Sequence, residues 1–180
     1  MAIYTVFEST NMATTKYAER IFDAVADVDV ENGTFGYLDG LADNESVTYN
    51  FKAGTKAGAK VVVADNPAWT EDNCRITNQR KDKYIIPAGT RFRVRVVAVT
   101  DEFAISAEGF TAGTREAAAA GKYVSIDATG KLVVGDAAVE GNAMNGQIMR
   151  VRMAGNALVT PANTYGYSRK LYEVKVESLA

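Results

Sequence analysis

Arg91-Phe92-Arg93-Val94-Arg95-Val96-Val97-Ala98-Val99 is the stretch whose reading decides the fold of this chain. Arginines alternate with apolar residues, and an extended strand sends successive side chains to opposite faces. The alternation predicts a half-buried strand with Phe92, Val94 and Val96 turned to a core. Arg91, Arg93 and Arg95 then form a cationic comb on the other face. Guanidinium groups are well suited to pairing with carboxylates or phosphates, so the comb is a candidate binding surface.

Outward from this strand the punctuation is that of a β protein. Short runs at 34–38, 47–51, 59–64, 102–106, 147–153 and 171–176 are set off by Asp39-Gly40, Asp43-Asn44, Gly54 and Gly58. The cleanest hairpin is Lys122-Tyr123-Val124-Ser125-Ile126, a turn at Asp127-Ala128-Thr129-Gly130, and Lys131-Leu132-Val133-Val134. Arg150 and Arg152 repeat the basic alternation. The alanine-rich stretch 115–120 is too short for a helix of its own and predicts at most one turn. About ten short strands with few helices imply a mainly β chain, a compact β-barrel or β-sandwich of short antiparallel strands.

Three segments need separate readings. Residues 1–16 read as an extended N-terminal arm, polar from Ser9 to Thr15, in which Ile3 to Phe7 can add an edge strand. The arm is either mobile or ordered against a neighbour, with Tyr4 and Phe7 as the anchor and Ile3 and Val6 beside them. Residues 17–180 then form a single β domain. Spacing over 17–25 fits helix or strand, and a strand is expected over Asp27-Val28-Asp29-Val30-Glu31, closed by the turn Asn32-Gly33. That acidic comb would mirror the arginine comb in charge. The run 65–83, containing Trp69 and Cys74, is long for a plain connection and predicts a packed or functional excursion.

Composition narrows the chemistry. With 180 residues and 47% hydrophobic side chains, the chain can bury a sizeable core. No apolar run approaches the ~18 residues of a membrane span, and Met1–Glu8 lacks the basic and apolar regions of a secretory leader. A net charge of −2 argues against a general nucleic-acid binder. Histidine is absent and cysteine occurs once, removing the commonest general base, the commonest metal ligand and any internal disulfide. Cys74 beside Arg75 has no histidine to activate it. Gly54-Thr55-Lys56-Ala57-Gly58-Ala59-Lys60 fails the phosphate-loop pattern, and no serine has a nucleophile-elbow context. No catalytic constellation, cofactor or metal site is expected. Asp27, Asp29 and Glu31 on a flat strand would be spaced too widely to enclose a cation.

The basic combs remain. Phe92 lies opposite the arginines, so the aromatic platform that single-stranded nucleic acid requires is missing. Internal pairing with the acidic comb is expected first, and a protein interface second.

The order and texture of several segments resemble the decoration, or cement, proteins of tailed-bacteriophage capsids. The matching pieces are Asp29-Val30-Glu31-Asn32-Gly33-Thr34, Gly36-Tyr37-Leu38-Asp39-Gly40-Leu41, Val61-Val62-Val63-Ala64-Asp65-Asn66-Pro67, Ile86-Pro87-Ala88-Gly89-Thr90-Arg91-Phe92-Arg93-Val94 and the Gly121–Leu132 hairpin. The resemblance spans most of residues 27–153. It implies a non-enzymatic virion protein, made in the host cytoplasm, that binds the major capsid protein on the shell's exterior, commonly as a homotrimer. Ile3, Tyr4, Val6, Phe7, Arg91, Arg93 and Arg95 are the expected contacts. The rival readings are a tail-tube, adaptor or shell component of the same virion, and a carbohydrate-binding module stacking sugars on Trp69, Tyr123, Tyr165 and Tyr167.

Overall fold

The computed structural model describes residues 3–15, 20–68, 81–155 and 168–180. Its centre is the strand that the arginine alternation predicts, here β6 (Phe92–Val96). Phe92 and Val94 point into a closed five-stranded barrel. Around the barrel run β2 (Ile21–Val25), β4 (Thr48–Ala53), β3 (Phe35–Leu41) and β5 (Val62–Ala64), with β6 closing back on β2. Every pairing is antiparallel except that of β2 with β4. The interior is small, built from Ala24, Phe51, Val62, Ala64, Phe92 and Val94. Phe51 meets Phe92 edge-on at 5.5 Å.

The second layer is a six-stranded antiparallel sheet in the order β1-β7-β11-β10-β8-β9. Its members are β1 (Phe7–Asn11), β7 (Glu102–Ser106), β8 (Tyr123–Ile126), β9 (Leu132–Gly135), β10 (Met144–Gly155) and β11 (Ser168–Leu179). Barrel and sheet share one core. Phe35 and Val63 join Phe103, Ile105, Phe110, Leu132, Ile148 and Val174 in the largest buried cluster, and Phe35 packs on Phe103 at 5.4 Å. The chain is therefore mainly β, as the sequence implies, with a barrel and an open sheet back to back. The alanine-rich stretch supplies one 3-10 turn, Arg115–Ala117. No described helix is long and apolar enough to cross a membrane.

The β8–β9 hairpin ties the layers together. Its turn is held by Asp127, whose carboxylate accepts from the N–H groups of Thr129 (2.8 Å) and Lys131 (3.0 Å) and from the hydroxyls of Thr129 and Thr111. Burial pushes the Asp127 carboxyl up, but these donors outweigh it and hold it below its ordinary value. The tip then lies on the barrel: Phe35 N–H donates to the Gly130 carbonyl (2.8 Å), and Gly54 N–H donates to the Phe35 carbonyl (3.0 Å). Gly130 has φ +79°, and a Cβ there would collide with the Phe35 carbonyl oxygen. Only glycine satisfies both conditions.

Two sequence expectations need correction. The N-terminal segment is not a free arm. β1 pairs with β7 in the chain's own sheet (Phe7↔Ile105, Glu8↔Ala104), and Val6, Phe7 and Met12 are buried. The physical reason is that β7 would otherwise be a bare edge above apolar side chains. Phe7 packs on Phe103 at 5.5 Å, while Val6 joins Ala104 and Leu171 on the other face. Nor do residues 27–31 form an acidic strand. β2 lies earlier in the chain, where it can pair with β4 and β6 at once, and Val30 makes only an isolated bridge to Ile86. The acids diverge: Asp27 binds Lys52 (2.7 Å), Asp29 accepts from Ala88 N–H (2.9 Å), and Glu31 accepts from Thr5 N–H (2.9 Å) and Lys131 (3.4 Å). The turn at Asn32-Gly33 is present, with Gly33 at φ +81°. Tyr17, Trp69, Cys74, Arg75, Tyr165 and Tyr167, and most of the 65–83 excursion, lie outside the described residues.

Candidate functional site

The first surface is a cleft where the N-terminal segment crosses the arginine strand. Thr5, Val6, Phe7 and Ser9 line one wall, while Arg93, Arg95, Asp65, Asn66, Pro67 and Ala68 line the other, enclosing about 300 Å³. Val6, Phe7, Arg93 and Arg95, the anchor and the comb of the sequence reading, thus meet in one place. Ile3 and Tyr4 sit beyond it. Ile3 is exposed, and Tyr4 is half-buried with its N–H donating to the Asp82 carbonyl (2.9 Å).

The comb is graded along the strand. Arg91 is exposed and pairs with Glu45. Arg93 is half-buried, its Nε donating to the Asp65 carbonyl (3.2 Å). Arg95 is only 8% exposed, its Nε paired with the Asp65 carboxylate, and its Nη1 has no acceptor among the described residues. The arginines therefore find Glu45 and Asp65 rather than Asp27, Asp29 and Glu31. Strand pairing places them there, because β6 lies between β2 and β5, and Asp65 directly follows β5.

A polar frame stiffens the cleft. Asn32 and Asn66 bond reciprocally: Asn66 N–H donates to Asn32 Oδ1 (2.9 Å), and Asn32 Nδ2 donates to the Asn66 carbonyl (2.8 Å). Asn66 Nδ2 also donates to the Tyr84 hydroxyl (2.6 Å). Asn32, Asp65 and Asn66 were not singled out as site residues in the sequence. The available signal was Asp65-Asn66-Pro67 following a buried apolar run, which marks a strand ending in an ordered polar turn.

The second surface is the far half of β10. β8 pairs only with Asn145–Gln147, and Ile148 bonds to Gly121 and Lys122, so among the described residues no strand flanks Met149–Gly155 on that side. Met149 (51% exposed), Val151 (40%) and Met153 (49%) line this edge. Arg150 and Arg152 occupy the opposite face and are held within the molecule. Glu173 binds both, Arg152 reaches Glu8 (2.6 Å), and Lys81 completes the chain at Glu8 (3.1 Å). Hydrogen bonds from Arg150 and then Arg152 hold the Glu173 carboxyl below its ordinary value. At Glu8, burial pushes upward but Arg152 and Lys81 prevail, and the net direction is down.

Among the described residues, no group of His, Cys, Asp and Glu side chains is disposed to hold a metal ion. No family model, curated protein or solved structure matches the chain.

Proposed function

We propose that this protein is a non-enzymatic decoration protein of a tailed-bacteriophage capsid, which binds the shell's outer surface and reinforces it. The observation that carries the reading is the apolar edge of β10 at the end of the β10–β11 hairpin, which no strand flanks among the described residues. Proteins normally blunt a long open edge with charge, proline or a covering element, because its backbone N–H and C=O groups template a further strand. Here the edge carries Met149, Val151 and Met153 on one face. A partner's extended segment can add to it through main-chain hydrogen bonds, with the apolar row giving affinity. Many copies on one shell make a modest contact effective. The resemblance in texture to cement proteins supports the same reading, with the major capsid protein as partner and a homotrimer as the soluble form.

The test is decoration of purified shells lacking this protein, read by co-sedimentation. The double substitution V151K/M153K places charge on the edge while altering only exposed side chains, so folding should be unaffected. The wild-type chain is expected to saturate the shells and the variant to lose most occupancy. Unchanged occupancy would remove the edge as the docking element. Polymerisation of the purified chain into rods would favour a tube component instead.

A further inference from the structure

We propose that the cleft between β1 and β6 is a recognition site for a single side-chain carboxylate presented by a protein partner. The inference stands apart from the virion reading, since it rests on the cleft and is tested without shells. Charge is the first argument. Among the described residues that line the cleft, Arg93 and Arg95 meet one carboxylate, Asp65. Asp23 lies opposite Arg93 on β2, outside that lining, and Lys81 at the rim is paired with Glu8. The described lining therefore carries one net positive charge, which matches a carboxylate better than a doubly charged phosphate.

Hydrogen bonding is the second argument. Nη1 of Arg95 is a buried donor with no acceptor among the described residues, and no described residue accepts from the terminal amino groups of Arg93. A partly buried charged donor left unpaired is costly, so an acceptor that enters the cleft to meet the terminal amino groups of half-buried Arg93 gains more than it would at an open surface. The cleft is also pre-arranged. Asn32 and Asn66 lock each other, Arg93 N–H donates to Asn66 Oδ1 (3.4 Å), and Asp65 N–H donates to the Arg93 carbonyl (3.0 Å). Size is the third argument. About 300 Å³, walled by Pro67 and Ala68, exceeds a bare ion and suits a carboxylate that arrives on an aliphatic stem.

The experiment is an NMR titration of the full chain at low ionic strength, following arginine Nε–H and the amides of Asn66 and Ala68. Acetate, inorganic phosphate and a capped Gly-Glu-Gly peptide serve as probes. The peptide is expected to bind more tightly than acetate, and acetate more tightly than phosphate. Arg93→Gln, at a half-exposed position, should weaken the peptide about tenfold or more, as expected for one charge-assisted hydrogen bond. Asp65→Asn keeps an acceptor for Arg95 Nε but removes the competing charge, so it should tighten binding several-fold. Equal affinity of wild type and Arg93→Gln, or weaker binding by Asp65→Asn, would overturn the site. Phosphate binding most tightly would overturn its carboxylate selectivity, and acetate matching the peptide would overturn the side-chain source.

Discussion

Replacing Gly130 by alanine should damage this protein far more than the same change at Gly121, although both glycines have left-handed backbones (φ +79° and +87°). At Gly121 an added Cβ meets nothing within 4 Å, so the cost is the left-handed strain alone, about 1–2 kcal/mol. At Gly130 the Cβ meets the Phe35 carbonyl oxygen, with Thr34 Cγ2 and Gly54 N also close. Backbone cannot rotate away as a side chain can, so the hairpin tip must lift from the barrel. That adds packing strain of roughly 1–3 kcal/mol and the loss of the Phe35–Gly130 hydrogen bond, worth about 1 kcal/mol. The Gly130→Ala cost is then about 3–6 kcal/mol. Urea unfolding followed by circular dichroism measures both variants against wild type, and thermal midpoints should differ between them by roughly 4–16 °C. If the two cost the same within about 0.5 kcal/mol, the hairpin tip is not docked on the barrel. The shared core would then need another explanation.

Two further outcomes follow from the same structure. Deleting residues 1–12 removes Val6, Phe7 and Met12 from the interior, each worth about 1.5–3 kcal/mol. This approaches the whole stability of a typical domain, so the truncated chain should lose near-ultraviolet circular dichroism and bind hydrophobic dye, while deleting residues 1–3 leaves both unchanged. A fully folded 13–180 fragment would refute the placement of β1. The lowered carboxyl groups of Glu8, Asp127 and Glu173 give a pH dependence of known sign. Because the folded state holds these protons less tightly than the unfolded chain, their stabilisation is present above the unfolded carboxylate range. It is lost as pH falls through the folded values. Urea midpoints should therefore be flat near neutrality and fall below about pH 5, with Glu173→Gln and Asp127→Asn flattening the decline. An acid branch identical in wild type and variants would count against these hydrogen bonds.

Much of the β grammar was legible because it is local. The alternation in 91–96, the Asp127–Gly130 hairpin and the single turn near Ala117 each depend on a few neighbouring residues. The acidic strand was misplaced for the opposite reason. Asp27–Glu31 alternates well, but barrel closure requires a strand that pairs with β4 and β6 together, and Ile21–Val25 meets that demand. The candidate site was half legible. The arginines were visible as a periodic pattern, while Asp65, which follows β5, was not visible as their partner. The alternation at Arg150 and Arg152 was visible, but the exposure of Val151 and Met153 was not, because it depends on β10 running past β8.

The sequence by itself determined the class of the fold, its strand-forming runs, its turns, and the presence of basic combs. These follow from side-chain period and from backbone freedom at glycine. Tertiary structure alone decided where the N-terminal segment goes, which acids meet which arginines, and which edge no described strand flanks. Those outcomes depend on strands far apart in the chain competing for the same neighbours. The winner is set by total buried area and hydrogen bonds, which no local pattern records.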